Sequence, residues 1–433
     1  MITGTRKNGR INRIELRDEP IHAWYRFVLS FPPHLVRDYF KRFSIKSKCR
    51  VLDPFCGTGT TLVEAKKLGI NTIGVEANPM AAFASRVKTD WQIDPNRLVE
   101  SADRVFQVAS EQLGNQGISD WPVLAYNGDS QNELFTLDHD QNKLLLKNSI
   151  SPLPLHKAIV LLEAINRKPS RYTDFQKLAF AKVLVASASN LHFGPEVGVR
   201  KPKIDAAVLS PWIKEVQRFA DDIRLYRSRV DVESQVIHGD SRCMLESIPE
   251  NYIDFVFTSP PYPNEKDYTR TTRLESVLLG MFSNMSEMRD FKKGLLRSNT
   301  RNVYKADDDD LHIAGYDRIQ EIAREIEERR ISMGKTSGFE RLYHRVTKLY
   351  FGGMKRHLEQ MRKVLKPGAV LAYVVGDQAS YLRVMIRTGQ ILAEIAEDLG
   401  YQVLGIDLFR TRLATATKEQ LNEEVLILQW EGL

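Results

Sequence analysis

Two short stretches carry the residue types that could do chemistry. In the first, Val51 to Thr61 (VLDPFCGTGTT), an acid at Asp53 closes an apolar run, and Gly57 and Gly59 follow it. A glycine turn leaves no side chain in the way, so a ligand can lie against bare backbone amides. The next apolar run, NTIGVEANP, brings Glu76 to its end, at about the distance from which a β-α-β nucleotide site reaches ribose hydroxyls. The turn lacks a P-loop lysine and the third glycine of a dinucleotide fingerprint, so a nucleoside without a pyrophosphate suits it better. In the second stretch, Thr258 to Tyr262 (TSPPY), the Ser259 hydroxyl and the Pro260 carbonyl offer two hydrogen-bond acceptors. The successive prolines, Pro260 and Pro261, fix φ and stiffen the turn, so the acceptors are in place before a substrate arrives.

With both motifs present, the chain resembles the S-adenosylmethionine-dependent methyltransferases that act on exocyclic amino groups of DNA bases. DPFCGTGTT is similar to that family's cofactor motif and TSPPY to its catalytic motif. The resemblance implies S-adenosylmethionine as cofactor and double-stranded DNA as substrate. It implies that Asp53, Phe55, Gly57 and Gly59 line the methionine and ribose side, that Glu76 takes the ribose hydroxyls, and that Asp240 faces the adenine amine. Asn78, just after Glu76, is a further cofactor candidate, with a turn residue or helix cap as the other reading. Phe31 and Pro32 are similar to a segment with which the family covers the methionine end.

The catalytic set implied is Ser259, Pro260, Pro261 and Tyr262. An exocyclic amine is a poor nucleophile because its lone pair is delocalised into the ring. Two acceptors aimed at its N–H protons pull it toward tetrahedral geometry, and Tyr262 can stack on a base turned out of the helix. A sulfonium leaving group needs no metal and no covalent enzyme intermediate. Methylation at ring carbon C5 would call for a cysteine after a proline, and none of Cys49, Cys56 and Cys243 follows one. The family writes Ser at the first catalytic position in many cytosine-N4 enzymes and Asp or Asn in many adenine-N6 enzymes. Ser259 therefore implies cytosine N4, with adenine N6 as the alternative. Two other readings stand beside it. One is a guanine-N2 methyltransferase of structured RNA, to which DPFCGTGTTLVEA is also similar; the other is a DNA-binding component of a defence assembly that does no chemistry.

The elements that must position these turns follow from the apolar rhythm. Seven strand candidates alternate with helices until the last two, which read as a hairpin-like edge. The expectation is an α/β fold, a mostly parallel, Rossmann-like methyltransferase sheet of seven strands with helical insertions. One strand is expected to end at Asp240. Residues 1–90 and 233–285 hold the two motifs, and 341–433 complete the core. Two stretches interrupt it: a mostly helical insertion at 91–232, a candidate for target recognition, and a polar helical one at 286–340. Loops are expected at GNQGISDWP, NSISPLPLH and HFGPEVGVRKPK. The last carries Arg200, Lys201 and Lys203, which read either as a solvated loop or as one that tracks DNA phosphates.

Lys and Arg outnumber Asp and Glu by 62 to 55, a balance that suits a polyanion without requiring one. The three cysteines have no metal-ligand spacing, and they read as reduced thiols of a cytoplasmic protein. No apolar run approaches the length of a membrane span. Cognate restriction or defence proteins are expected as partners of a DNA modification enzyme.

Overall fold

The computed structural model describes residues 14–26, 30–122, 133–193, 197–243, 247–264, 267–413 and 420–432. Among them lie strands β1 (Arg50–Asp53), β2 (Asn71–Glu76), β3 (Leu191–Phe193), β4 (Val197–Val199), β5 (Ser234–His238), β6 (Ile253–Thr258), β7 (Leu365–Gly376), β8 (Tyr401–Leu413) and β9 (Gln420–Trp430). Seven of them form one sheet in the order β5-β2-β1-β6-β7-β9-β8. The first five run parallel, and β9 inserts antiparallel between β7 and β8. This is the seven-stranded, mostly parallel sheet expected from the sequence.

The central strands are apolar on both sides because helices cover both faces. Val51, Phe255, Phe257, Ala372 and Val374 meet Leu35, Val36, Tyr39 and Phe40 of the Pro33–Arg42 helix. The alternate residues Leu52, Val256, Leu371 and Tyr373 meet Tyr350, Met354, Leu358 and Met361 of the Tyr343–Val364 helix, together with Ile391, Leu392 and Ile395 of Thr388–Asp398. Each such aliphatic side chain contributes about 1.5–3 kcal/mol when fully buried. A slip by one residue would exchange the side chains fitted to the two helical layers, so the packing on each face holds the register.

Residues 91–232 are helical at Pro95–Asn115, Pro152–Arg167, Thr173–Val183 and Leu209–Leu225. Their core is continuous with Met80, Phe83 and Val87 of the Pro79–Thr89 helix and with Ile21 and Trp24 near the N-terminus. Trp24 stacks on Phe219 at 4.2 Å and donates its indole N–H to Asp222 at 2.7 Å, so the N-terminal segment is stitched into the insertion. Among the described residues, no helix is long and apolar enough to cross a membrane.

The structure differs from the sequence reading in three places. Strand β5 stops at His238, two residues before Asp240. The NSISPLPLH stretch becomes helical from Pro152, because a proline at the first helical position gives up only an amide that would be unpaired there anyway. HFGPEVGVRKPK is a two-stranded hairpin, β3 paired antiparallel with β4, and its residues 194–196 lie outside the described residues.

Candidate active site

All five parallel strands end at one rim of the sheet, and both sequence motifs are the turns that leave it. The link between them is direct: the Thr258 hydroxyl at the end of β6 donates to Asp53 Oδ1 at the end of β1, at 2.6 Å. Both residues are fully buried. The Phe55 amide also donates to Asp53 Oδ1, at 3.2 Å. Asp53 Oδ2 has no hydrogen bond among the described residues, although the Thr61 hydroxyl is close enough to favour its charge while donating to the Phe257 carbonyl at 3.2 Å. Burial outweighs these contacts and pushes the carboxyl up to about 6.

The glycine turn is tightly folded. The Gly59 amide donates to the Cys56 carbonyl at 2.7 Å, and Gly57 and Gly59 have φ of 52° and 83°, a region that favours glycine. A Cβ on Gly59 would stand 2.5 Å from Ser85 Oγ, whereas one on Gly57 would meet nothing within 4 Å. The turn therefore has a packed side against the Pro79–Thr89 helix and an open side on which a ligand can lie. Glu76 borders the same turn, accepting from the Gly57 amide at 2.8 Å and from the Asn78 amide at 2.7 Å. Burial raises Glu76 to about 7 against the lowering pull of these amides. Asn78 caps the Pro79–Thr89 helix, accepting from the Met80 and Ala81 amides, and its Nδ2 donates to Thr272 Oγ1 at 3.1 Å.

Phe55 is half-buried, its ring edge-on to His357 with centroids 4.9 Å apart. His357 in turn contacts the Ser241 carbonyl at 3.2 Å, beside Asp240. Asp240 is held by Arg242, whose Nε lies 3.0 Å from both carboxylate oxygens. An adenine amine at Asp240 would share that carboxylate with the guanidinium. The Cys56 thiol is buried and pushed well above its ordinary pKa, chiefly by that burial, which suits a packing residue and not a nucleophile.

On the other side of the Thr258–Asp53 link, the Ser259 hydroxyl donates to the Val374 carbonyl of β7 at 3.0 Å. Its proton is thus directed into the sheet, and its oxygen is left to accept, from the Tyr262 hydroxyl and from one further donor. Tyr262 is half-buried, in hydrogen-bond contact with Ser259, and its ring lies so close to Gly376 that a Cβ there would stand 2.8 Å from it. Gly376 at the end of β7 is thus a site residue the sequence did not single out.

Arg200, Lys201 and Lys203 stand apart, at the β3–β4 hairpin of the insertion. Lys203 donates to the Ser187 and Ser189 carbonyls at 2.5 and 2.8 Å, and Arg200 contacts His192 Nδ1 at 3.2 Å. Lys201 is exposed. The structure thus gives Lys203 a backbone-capping role that a phosphate contact would have to displace.

The chemistry of this rim suits S-adenosylmethionine. The unpaired Asp53 oxygen suits a methionine ammonium, the open side of Gly57 leaves room for a ligand, and Glu76 offers acceptors for a ribose diol. The residues fit the group.

A family model described as DNA methylase matches residues 6–84. The chain is 25% identical over 431 residues to the Type II methyltransferase M.BsoBI of Geobacillus stearothermophilus, an alignment covering 93% of this chain and 83% of that one. It is 24% identical over 412 residues to the Type II methyltransferase M.AvaI of Anabaena variabilis, covering 89% and 80%. A tRNA (guanine(10)-N2)-dimethyltransferase of Methanothermobacter thermautotrophicus is 32% identical over 95 residues, 22% of this chain and 21% of that one.

Proposed function

We propose that this chain, a DNA methyltransferase of the amino-group class, methylates the exocyclic N4 of cytosine within a short DNA sequence, as the modification half of a restriction-modification pair. The observation that carries the reading is the Thr258–Asp53 hydrogen bond of 2.6 Å, which holds the cofactor turn and the acceptor turn at one rim. The bond joins residues 205 apart in the chain.

S-adenosylmethionine, when bound, supplies a methyl group on a sulfonium whose charge makes the thioether a good leaving group. Asp53, Phe55, Gly57, Gly59 and Glu76 would hold it. The acceptor turn prepares the nucleophile. The Ser259 oxygen and the Pro260 carbonyl would accept from the two amine N–H groups and draw the nitrogen lone pair out of the ring, and the proton that the nitrogen loses on methylation would pass to solvent. Ser259 can only accept while Val374 holds its proton, and this supports an amine as the group it meets. Tyr262, braced against Gly376, offers a surface for a base turned out of the duplex. Placement supplies most of the rate, and no protein group needs to form a bond to the base.

Ser259 supports cytosine over adenine, through the family habit of placing Ser there in many cytosine-N4 enzymes. DNA is supported over RNA by coverage: the Type II enzymes align along nearly the whole chain, the tRNA enzyme over about a fifth. The insertion at 91–232 is assigned to target recognition. It cannot be cut out cleanly, since its removal would expose Met80 and Phe83, so its role is read from surface substitutions.

The deciding experiment is sequencing of modified bases in DNA from cells expressing the chain, with Ser259→Ala beside it. N4-methylcytosine in one short motif, absent in the variant, is the expected result. N6-methyladenine in its place would overturn the base assignment. Bound DNA with no methyl transfer on any sequence would favour the non-enzymatic reading.

A further inference from the structure

The structure contains a buried cation for which the reaction described above has no use. Lys88, in the last turn of the Pro79–Thr89 helix, is 1% exposed. Its ammonium donates to the Thr58 carbonyl at 2.6 Å and to the Tyr25 carbonyl at 3.2 Å, and among the described residues no carboxylate pairs with it. The charged or titratable groups that bear on it are Arg26, Lys67, Cys56 and His22. Burial, reinforced by the two neighbouring cations, lowers its pKa to about 7. A buried ammonium with cationic neighbours and no counter-ion is a poor way to stabilise a fold.

Its place explains it better. Thr58 is the residue between the two glycines of the cofactor turn. Ser85, three residues before Lys88 on the same helix, is the group that fills the space a Gly59 side chain would need. The turn is therefore pressed on the helix at Gly59 and tied to it at Thr58. With φ of 83°, Gly59 could tolerate either orientation of the peptide before it. A flip of that peptide would turn the Thr58 carbonyl away from the helix and would break the 2.7 Å bond from the Gly59 amide to the Cys56 carbonyl. The tether selects one orientation.

We infer that Lys88 is a positioning residue for the methyl donor: its ammonium pins the Thr58 carbonyl beneath the glycine turn and so presets the backbone on which S-adenosylmethionine lies. A second link runs outward from the same tether. Tyr25, whose carbonyl Lys88 also holds, donates its hydroxyl to Glu275, in the Arg273–Leu278 helix that follows the catalytic turn. The inference rests on the S-adenosylmethionine reading, and its test uses binding so that the two can fail separately.

The test is titration calorimetry of S-adenosylmethionine into the full chain, wild type against Lys88→Met, with melting curves and DNA binding alongside. Lys88→Met is expected to weaken cofactor binding at least tenfold, to leave DNA affinity unchanged, and to keep or raise the melting temperature. In turnover, KM for the cofactor rises while kcat at saturating cofactor holds. Equal cofactor affinity in the two proteins would overturn the inference. So would a loss of affinity that tracks a lowered melting temperature, since Lys88 would then be a strut of the fold. Should Lys88→Met fail to fold, Lys88→Gln is read by the same criteria. A wild type that takes up no S-adenosylmethionine overturns both the inference and the reading beneath it.

Discussion

The sheet core and the helical insertion each bury a lysine completely, and they treat it in opposite ways. In the insertion, Lys157 lies 2.8 and 2.9 Å from the two oxygens of Asp205, both side chains almost wholly out of solvent. In the core, Lys88 has two carbonyls and no carboxylate among the described residues. The same contrast extends to acids. Asp120 in the insertion accepts from the Val208, Leu209 and Ser210 amides at 2.8–2.9 Å and from the Ser210 hydroxyl at 2.7 Å, whereas Asp53 in the core keeps one oxygen with no hydrogen bond among the described residues. Hydrogen bonding holds Asp120 below its ordinary pKa despite burial; Asp53 is raised. The Lys157 and Asp120 charges are satisfied by groups of the insertion itself, as a scaffold needs. Charges near the cofactor turn are left partly unsatisfied, as a site needs if its ligand is to complete them.

The sharpest way to break this comparison is to remove one lysine at a time. Lys157→Met removes the ammonium that both Asp205 oxygens bind, and breaking such a buried pair costs about 3–5 kcal/mol. Denaturant unfolding should show that loss, with cofactor affinity unchanged in the folded protein. This is the mirror image of Lys88→Met. The double variant Lys157→Met/Asp205→Leu should recover most of the stability, because an apolar pair of similar volume removes the desolvation penalty together with the attraction. If Lys157→Met weakens cofactor binding and leaves stability alone, the distinction between the two regions fails.

A second, smaller effect sharpens the acidic side of the contrast. Asp53 is raised from an ordinary 3.8 to about 6, so the folded protein binds its proton more tightly than the unfolded chain does. The sign follows: the stability that the protonated group contributes is fully present below about pH 4 and is lost as pH rises toward 6, at about 1.4 kcal/mol per pH unit. Asp53→Asn keeps an acceptor for Thr258 and removes the titration. The difference in unfolding free energy between wild type and variant should therefore change with that slope across pH 4–6 and flatten above. A cationic ligand favours the ionised carboxylate, so wild-type affinity for S-adenosylmethionine should rise through the same window, and the variant's should not. A stability difference that is flat with pH would mean that Asp53 is satisfied after all.

How much of this could be read in the chain depends on how local the cause is. Asp53, Gly57 and Gly59 were legible because one strand end and one turn contain the whole signal, and TSPPY because two prolines stop an apolar run. The antiparallel pairing of the last two strands was legible because no helix separates them. The Thr258–Asp53 bond was not, since nothing in either stretch specifies its partner. Lys88 was hidden for a related reason: in PMAAFASRVKT a lysine near a helix C-terminus reads as a solvated charge, and only the packing of that helix under the glycine turn buries it. The β3–β4 hairpin was read as a loop because three residues per strand are too few to show alternation, and Gly and Pro at its centre mark loops and hairpins alike.

The smallest effect expected concerns a third lysine, which tests whether carbonyl partners alone make a site. Lys203 resembles Lys88 in donating to two carbonyls, those of Ser187 and Ser189, but it does so at the surface, where water can replace it. Lys203→Ala should therefore cost only about 0.5–1.5 kcal/mol of stability, the worth of an ordinary hydrogen bond. Its binding to DNA should keep the same dependence on salt. Lys201, exposed two residues earlier, is the opposite case: Lys201→Ala should leave stability unchanged to within about 0.5 kcal/mol. If the hairpin follows the DNA backbone, that variant should reduce the slope of log affinity against log salt by about one. A slope that falls for Lys203 and not for Lys201 would reverse their roles, and would mean that the Ser187 and Ser189 carbonyls give up their donor when DNA arrives.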